Sequence, residues 1–205
     1  MYRIPAEVLA VAMHRALAAR GVERAHADDV VDTLISTSLD GIDTHGVRLF
    51  GTYLKELDGG RSRARPQLAL DDCRLALALL DADGALGVVA GNAAMRHAIE
   101  RAREFGIAAV AVRNSNHFGA AGYYAGLAAA AGLVGLAFSN SDALVVPCNG
   151  ARAMTGTNPL ALAAPGVGDE RFHFDMATSQ ISFSRVMHYT AHGIPLSPGW
   201  ACDAR

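Results

Sequence analysis

Apolar residues recur three and four positions apart through the first sixty residues, and then the pattern changes. Val8, Leu9, Ala12, Met13, Ala16 and Leu17 make one face of a helix that starts at Pro5 and stops at Gly21. Val30, Val31, Leu34 and Ile35 do the same for a helix over 23–39, which Asp40-Gly41 breaks. A third helix is predicted over 46–57, ending at Gly59-Gly60. After the basic stretch 61–66, the runs 67–70 and 74–80 predict two strands around Asp71-Asp72, a hairpin candidate. Gly84 and Gly87 lead into a helix ending near Gly106, and 107–112 is a run of β-branched and small residues suited to a buried strand. Such a strand–helix–strand unit predicts a right-handed crossover and a parallel pair. A helix over 120–131, a stop at Gly132 and a strand over 133–138 follow. Beyond Ser139 the chain reads as loops with short strands at 160–164 and 171–174, a helix from 178, and a turn over 193–198. Helices followed by mixed strands and helices imply an α/β class, with a helical region over 1–65 and an α/β region over 66–205.

Composition supports a packed core. Of 205 residues, 51% are hydrophobic and 19% charged, which excludes disorder as the main state. The net charge of −2 and the 6% aromatic content give no footprint for nucleic acid. Cys73, Cys148 and Cys202 are too few and too scattered for a disulfide framework or a zinc site. Their odd number, with no signal-peptide pattern around Glu7, Arg15 and Arg20, points to a cytoplasmic setting. Residues 118–141 carry no charge, and a membrane span needs about 20 apolar residues. Asn116, His117, the interspersed glycines and the missing basic flank favour a buried helix and strand instead, with Gly122 and Gly126 marking close helix packing. No membrane partner is expected.

Three constellations could carry chemistry. The first is Asp43-Thr44-His45-Gly46-Val47-Arg48 with Tyr53. Arg48 can hold a carboxylate through two parallel hydrogen bonds, and His45 can relay a proton near neutrality. On spacing alone, a helix cap by Thr44 or Asp43 with a solvated Arg48 and a core Tyr53 is the favoured account. The second is Asn114-Ser115-Asn116-His117-Phe118-Gly119, after a strand and before a helix, where ligands of α/β sheets collect. An Asx-turn cluster with a surface histidine is its plain alternative. The third is Gly156-Thr157-Asn158-Pro159, below the polar run Ser139, Asn140, Ser141 and Asp142, whose amides could form an anion-binding nest. Asp83-Gly84-Ala85-Leu86-Gly87 lacks the G-x-G-x-x-G spacing of a dinucleotide turn. His188 and His192 stand four apart with no intervening Glu, so no metalloprotease motif or metal site is assigned.

Taken together, these stretches resemble the malate/L-lactate dehydrogenase family, which includes ureidoglycolate and sulfolactate dehydrogenases and cyclic imino-acid reductases. The match rests on Gly41 through Arg48, Val112 through Gly119 with Gly122-Tyr123-Tyr124-Ala125, Gly156 through Ala161, and Asp175-Met176-Ala177-Thr178-Ser179. The resemblance implies a non-Rossmann, mixed-sheet, three-layer fold of the sulfolactate dehydrogenase type behind an N-terminal helical region. It implies an NAD- or NADP-dependent oxidoreductase of malate, lactate, sulfolactate or ureidoglycolate type, working as a homodimer on a small carboxylate. His117 matches the proton acceptor, with His45 beside it as a catalytic residue. Thr44 and His45 match a Ser-His pair lining the substrate pocket. Arg48 and Tyr53 match residues that hold the substrate carboxylate and wall the pocket. Ser141, Thr157, Asn158, Asp175, Met176 and Ala177 match nucleotide contacts. Thr44 stands where Ser is frequent, and Ser184-Arg185 where Gly-Lys is usual. Members of the family continue past the stretch resembling Ile194 to Trp200. The chain is therefore expected to be truncated at its C-terminal end, with an inactive fragment or a cyclic imino-acid reductase as alternatives.

Overall fold

The computed structural model describes residues 3–168 and 170–201. Helices α1 (Ala6–Ala18) and α2 (Arg24–Leu39) form where the 3.6-residue period is clearest, and Pro5 occupies the N-cap of α1. The third predicted helix divides into a 3-10 turn at Val47–Leu49 and α3 (Phe50–Asp58). Met13 and Leu17 of α1, Val30, Val31 and Leu34 of α2 and Tyr53 of α3 are buried in one cluster. That cluster also contains Leu80, Ala82, Val88, Val89 and Ala90, so the helical region and the following α/β unit share a core. Each fully buried aliphatic side chain contributes about 1.5–3 kcal/mol.

The first sheet has the order β1-β2-β3: β1 (Ala69–Arg74), β2 (Leu77–Asp81) and β3 (Ala109–Arg113). β1 runs antiparallel to β2, while β2 and β3 are parallel, from Leu77 opposite Ala109 to Asp81 opposite Arg113. Helix α4 (Gly87–Phe105) makes the crossover, so the expected parallel pair is borne out. The hairpin turn falls at Leu75-Ala76 rather than at Asp71-Asp72, which extend along β1. The second sheet is antiparallel: β4 (Gly135–Phe138), β5 (Leu160–Pro165) and β6 (Arg171–Met176). Helix α5 (Ala121–Ala130) packs on it through small residues, Ala121, Ala125 and Ala129 against Ala161 and Ala163. Gly122 is close-packed against β6, since a Cβ there would lie 2.5 Å from His173 Nε2, whereas Gly126 faces open space. The expected G-x-x-x-G contact is therefore made by only one of its two glycines. The opposite face of this sheet exposes Leu136, Phe138, Leu160, Phe172 and Met176. Helix α6 (Phe183–Ala191) starts five residues later than predicted.

Several polar groups buried between helices are paired, although the buried His26 Nδ1 of α2 has no hydrogen-bond partner among the described residues. The Thr33 hydroxyl donates to Asp29 O at 2.7 Å and accepts from Asn92 Nδ2 at 2.9 Å, and Asn92 Nδ2 also donates to Val88 O. Arg96 grips Asp29 with two bonds of 2.6 and 2.9 Å, tying α4 to α2. Asn92→Ala is expected to lower unfolding stability by about 1 kcal/mol, read as a lower urea midpoint at unchanged slope. An unchanged midpoint would show that this bond contributes nothing net.

Among the described residues, no helix is long and apolar enough to cross a membrane. Cys73 and Cys148 are free and exposed, and Cys202 lies outside the described residues.

Candidate active site

Two loops meet to form the site. The first joins α2 to α3 and carries Thr44 and His45. Its path is held by Ser38, whose hydroxyl accepts the Val47 amide at 2.9 Å. Gly46 is required there, because a Cβ would lie 2.1 Å from Ser38 Oγ. The second loop leaves the C-terminal end of β3. Asn114 donates to both Asp81 carboxylate oxygens at 3.0 Å, and Asn116 donates to Ala85 O at 3.0 Å. These asparagines thus serve the loop and set the direction of His117.

The rings of His45 and His117 stack with centroids 6.0 Å apart and 15° between planes. Thr44 Oγ1 lies 3.0 Å from His45 Nδ1. The Tyr53 hydroxyl lies 3.0 Å from His117 Nδ1, and the Gly119 amide donates to the same nitrogen at 3.3 Å. Tyr53 is fully buried, whereas His117 remains exposed as a residue. Its Nδ1 edge faces Tyr53 and Gly119, and its Nε2 has no hydrogen-bond partner among the described residues.

Burial, reinforced by the charges of His45 and Arg61 and opposed by Asp142, pushes the His117 imidazole down to about 4. Burial also lowers His45, with the Asp175 carboxylate working against it. Burial pushes the Tyr53 phenol up, so it stays protonated. The effect on stability has a definite sign. An unfolded histidine takes its proton near about 6.5, and the folded His117 ring not until about 4. Between those values the unfolded chain binds more protons, so stability falls as pH is lowered through that window. Above it these rings add no pH dependence. The urea midpoint is expected to be lower at about pH 5 than at about pH 7.5. His117→Gln should narrow that difference, and an equal difference in the variant would contradict the assignment.

The remaining predicted residues fall into two other groups. Arg48 turns toward α6, with Nη1 3.2 Å from His188 Nδ1, at an exposed position. Ser141, Thr157 and Asn158 interlock. Ser141 Oγ accepts the Thr157 amide at 2.9 Å, and Asn158 Oδ1 accepts the Ser141 amide at 2.9 Å. Thr178 donates its amide to Thr157 O and its hydroxyl to Asn158 O. The nest suggested for the Thr157 turn is thus already filled by the Ser141 hydroxyl. Asp175 accepts the Gly122 amide at 2.7 Å and its charge reaches His45, while Met176 is exposed and Ala177 half-buried. Among the described residues, no group of three or more His, Cys, Asp or Glu could hold a metal ion. The rings of His188 and His192 do lie close, with centroids 4.3 Å apart and planes tilted by 42°.

Sequence reasoning misses two residues that shape the site. Gly87 reads as part of an imperfect dinucleotide turn, yet a Cβ there would lie 2.1 Å from Asn116 O and 2.5 Å from the His117 carbonyl carbon. Arg61 reads as part of a linker, yet its charge acts on His117. Both act across about 30 or more residues of chain, where periodicity carries no signal.

Residues 4–205 match the family model described as malate/L-lactate dehydrogenase. The chain belongs to this family. Malate dehydrogenase of Pyrococcus abyssi is 41% identical over 203 residues, covering 99% of this chain and 56% of the relative. Ureidoglycolate dehydrogenase (NAD(+)) of Escherichia coli K12 is 36% identical over 201 residues, 98% of this chain and 58% of its own. (2R)-3-sulfolactate dehydrogenase (NADP(+)) of Chromohalobacter salexigens is 36% identical over 198 residues, 97% and 58%. The solved malate dehydrogenase of Entamoeba histolytica superposes with a TM-score of 0.94 at 33% identity, covering 97% of this chain and 55% of that one. The α/β fold with mixed sheets behind N-terminal helices is thus that of the malate/L-lactate dehydrogenase family. The chain spans a little over half the length of the relatives it matches.

Proposed function

We propose that this chain supplies the proton-transfer and substrate-holding part of a dehydrogenase that interconverts small 2-hydroxy and 2-keto acids with NAD or NADP. The observation that carries this reading is His117. It lies past the C-terminal end of a parallel strand, anchored through Nδ1 by Tyr53 and Gly119 and stacked on His45, with Nε2 unpartnered among the described residues. Such a ring can take the hydroxyl proton of a hydroxy acid during oxidation and return it during reduction. Thr44 and His45 line the same space, where burial disfavours a charge on His45 and its ring offers a hydrogen-bonding wall.

Arg48 is the carboxylate-holding residue of this reading. Arg48 is exposed, and among the described residues its side chain bonds only His188, so its other N–H groups can take a carboxylate. Tyr53 walls the pocket and spends its hydroxyl on His117. The hydroxyl and amide side chains of the exposed Ser141 and the half-buried Thr157 and Asn158 suit the uncharged amide and ribose hydroxyls of a nicotinamide nucleotide. Asp175 and Met176 end β6 and Ala177 follows it, beside Leu160 at the start of β5. The bound nucleotide supplies the hydride donor or acceptor. The chain's part is to orient the acid, exclude water and move the proton at its oxygen. A homodimer in a cytoplasmic setting completes this reading.

The test is a panel of 2-keto acids corresponding to malate, lactate and sulfolactate, with NADH and NADPH, followed by loss of reduced-nicotinamide absorbance and by nucleotide fluorescence. Turnover with at least one acid is expected. Neither turnover nor nucleotide binding with any member would overturn the proposal. Sedimentation of the same sample reads the oligomeric state.

A further inference from the structure

Two donors converge on one nitrogen of His117. The Gly119 amide, 3.3 Å from Nδ1, can only donate. An Nδ1 that accepts from it holds a lone pair, so the neutral ring carries its single hydrogen on Nε2. Tyr53, 3.0 Å from the same nitrogen, then donates as well, and its buried phenol keeps its proton. This resting tautomer presents Nε2–H at the edge away from Tyr53 and Gly119. A base that takes a proton at Nε2 needs the other tautomer, with the hydrogen on Nδ1. In that form the Gly119 N–H faces another N–H and its bond is lost. The Tyr53 hydroxyl has both a hydrogen and lone pairs, so rotation about its C–O bond converts it from donor to acceptor.

We propose that Tyr53 is a positioning residue for His117 whose hydroxyl reverses its hydrogen bond when the ring takes up a proton. This rests on the dehydrogenase reading above, in which His117 carries the substrate proton. No electron or proton is lost in the step. Because the resting ring carries its hydrogen on Nε2, that hydrogen first leaves to water as water returns one to Nδ1. The Nδ1–H then donates to the Tyr53 oxygen, the substrate proton arrives at the freed Nε2, and the phenol hydrogen stays on its own oxygen. Gly119 opposes the charged ring and Tyr53 supports it, so the pair sets how readily His117 accepts and releases a proton. The other groups that bear on the ring are His45 stacked above it and the charges of Arg61 and Asp142, and a substitution at Tyr53 leaves all three in place.

The test uses the whole chain labelled with 15N-histidine, with the His117 signals assigned by their loss in His117→Gln. In the wild type at neutral pH, the nitrogen shifts are expected to show the Nε2–H tautomer. An Nδ1–H tautomer would overturn the proposal without any reference to turnover. The second arm titrates His117 in Tyr53→Phe, which keeps the ring and its burial. If Tyr53 only donated to the neutral ring, removing its hydroxyl would raise the His117 midpoint. If it accepts from the charged ring, the lost bond is charge-assisted and the stronger of the two, so the midpoint falls, by about 0.5 or more. A raised or unchanged midpoint would overturn the proposal. Both readouts are independent of catalysis, so failure of the dehydrogenase reading shows separately, as absent turnover in a chain whose ring behaves as described. Where turnover is measured, Tyr53→Phe should lower kcat and leave KM unchanged.

Discussion

Replacing His117 with Ala is expected to lower hydride-transfer turnover by about 10²–10⁴-fold while the fold persists. The reason lies in what the ring does and does not contribute. His117 is exposed and sits in a loop, so its removal takes little from either core cluster. It orphans the Tyr53 hydroxyl, but from the exposed side a water can reach that group, which limits the cost. In the proposed function, what vanishes is the group that exchanges a proton with the substrate oxygen. Arg48, Thr44 and His45 remain to orient an acid, so KM should change less than kcat. His45 stacks on the missing ring but lies a ring away from its position, 6.0 Å between centroids, and does not substitute for it. Added imidazole should restore part of the rate in His117→Ala, because the vacated space opens to solvent. The measurement is steady-state oxidation of NADH or NADPH with the best acid of the panel, beside a thermal melt. Retention of more than about a tenth of the wild-type rate would remove His117 from the proton-transfer role.

The periodic parts of the chain are legible in the sequence, and the reason is local. Helices α1, α2 and α4 each bury one stripe, and the parallel β2–β3 pair follows from a strand–helix–strand order that admits few connections. Errors arise where a long-range contact outweighs local chemistry. Asp71-Asp72 reads as a turn, but Asp72 extends along β1 and accepts a 2.9 Å bond from His97 of α4, moving the turn to Leu75, held at φ 34°. Thr178 reads as the start of a helix, but it is held by the carbonyls of Thr157 and Asn158, and α6 begins only at Phe183. In the site, His45 and His117 stand out as imidazoles beside glycines and amides. Their approach to one another joins loops 72 positions apart, and only the fold reveals it. The contact of Arg48 with His188 spans 140 positions and leaves no trace in spacing.

Gly87→Ala is expected to lower stability by about 1–3 kcal/mol and turnover by about 10²-fold, from one added methyl group. Gly87 is the first residue of α4 and fully enclosed. Its Cα faces the backbone of the His117 loop, with Asn116 O, His117 C and His117 O at 2.1, 2.5 and 2.5 Å from the position a Cβ would take. None of these atoms is the end of a flexible side chain, so the clash cannot be relieved by a rotamer change. Either α4 shifts within a core that includes Val88, Val89 and Ala90, or the loop moves outward. The loop is the softer element, though the Asn116 bond to Ala85 O resists its displacement. An outward shift lengthens the contacts of Nδ1 with Tyr53 and Gly119 and misdirects Nε2, so activity should fall further than the stability loss alone implies. Gly126→Ala supplies the control. That glycine lies within α5 with nothing within 4 Å of the place an alanine methyl would occupy, and alanine there should stabilise by about 0.5–1 kcal/mol through helix propensity. Urea midpoints of the two variants and kcat of each against wild type separate the effects. A Gly87→Ala chain as stable and as active as wild type would show that the loop carrying His117 is not held in place by close contact with α4.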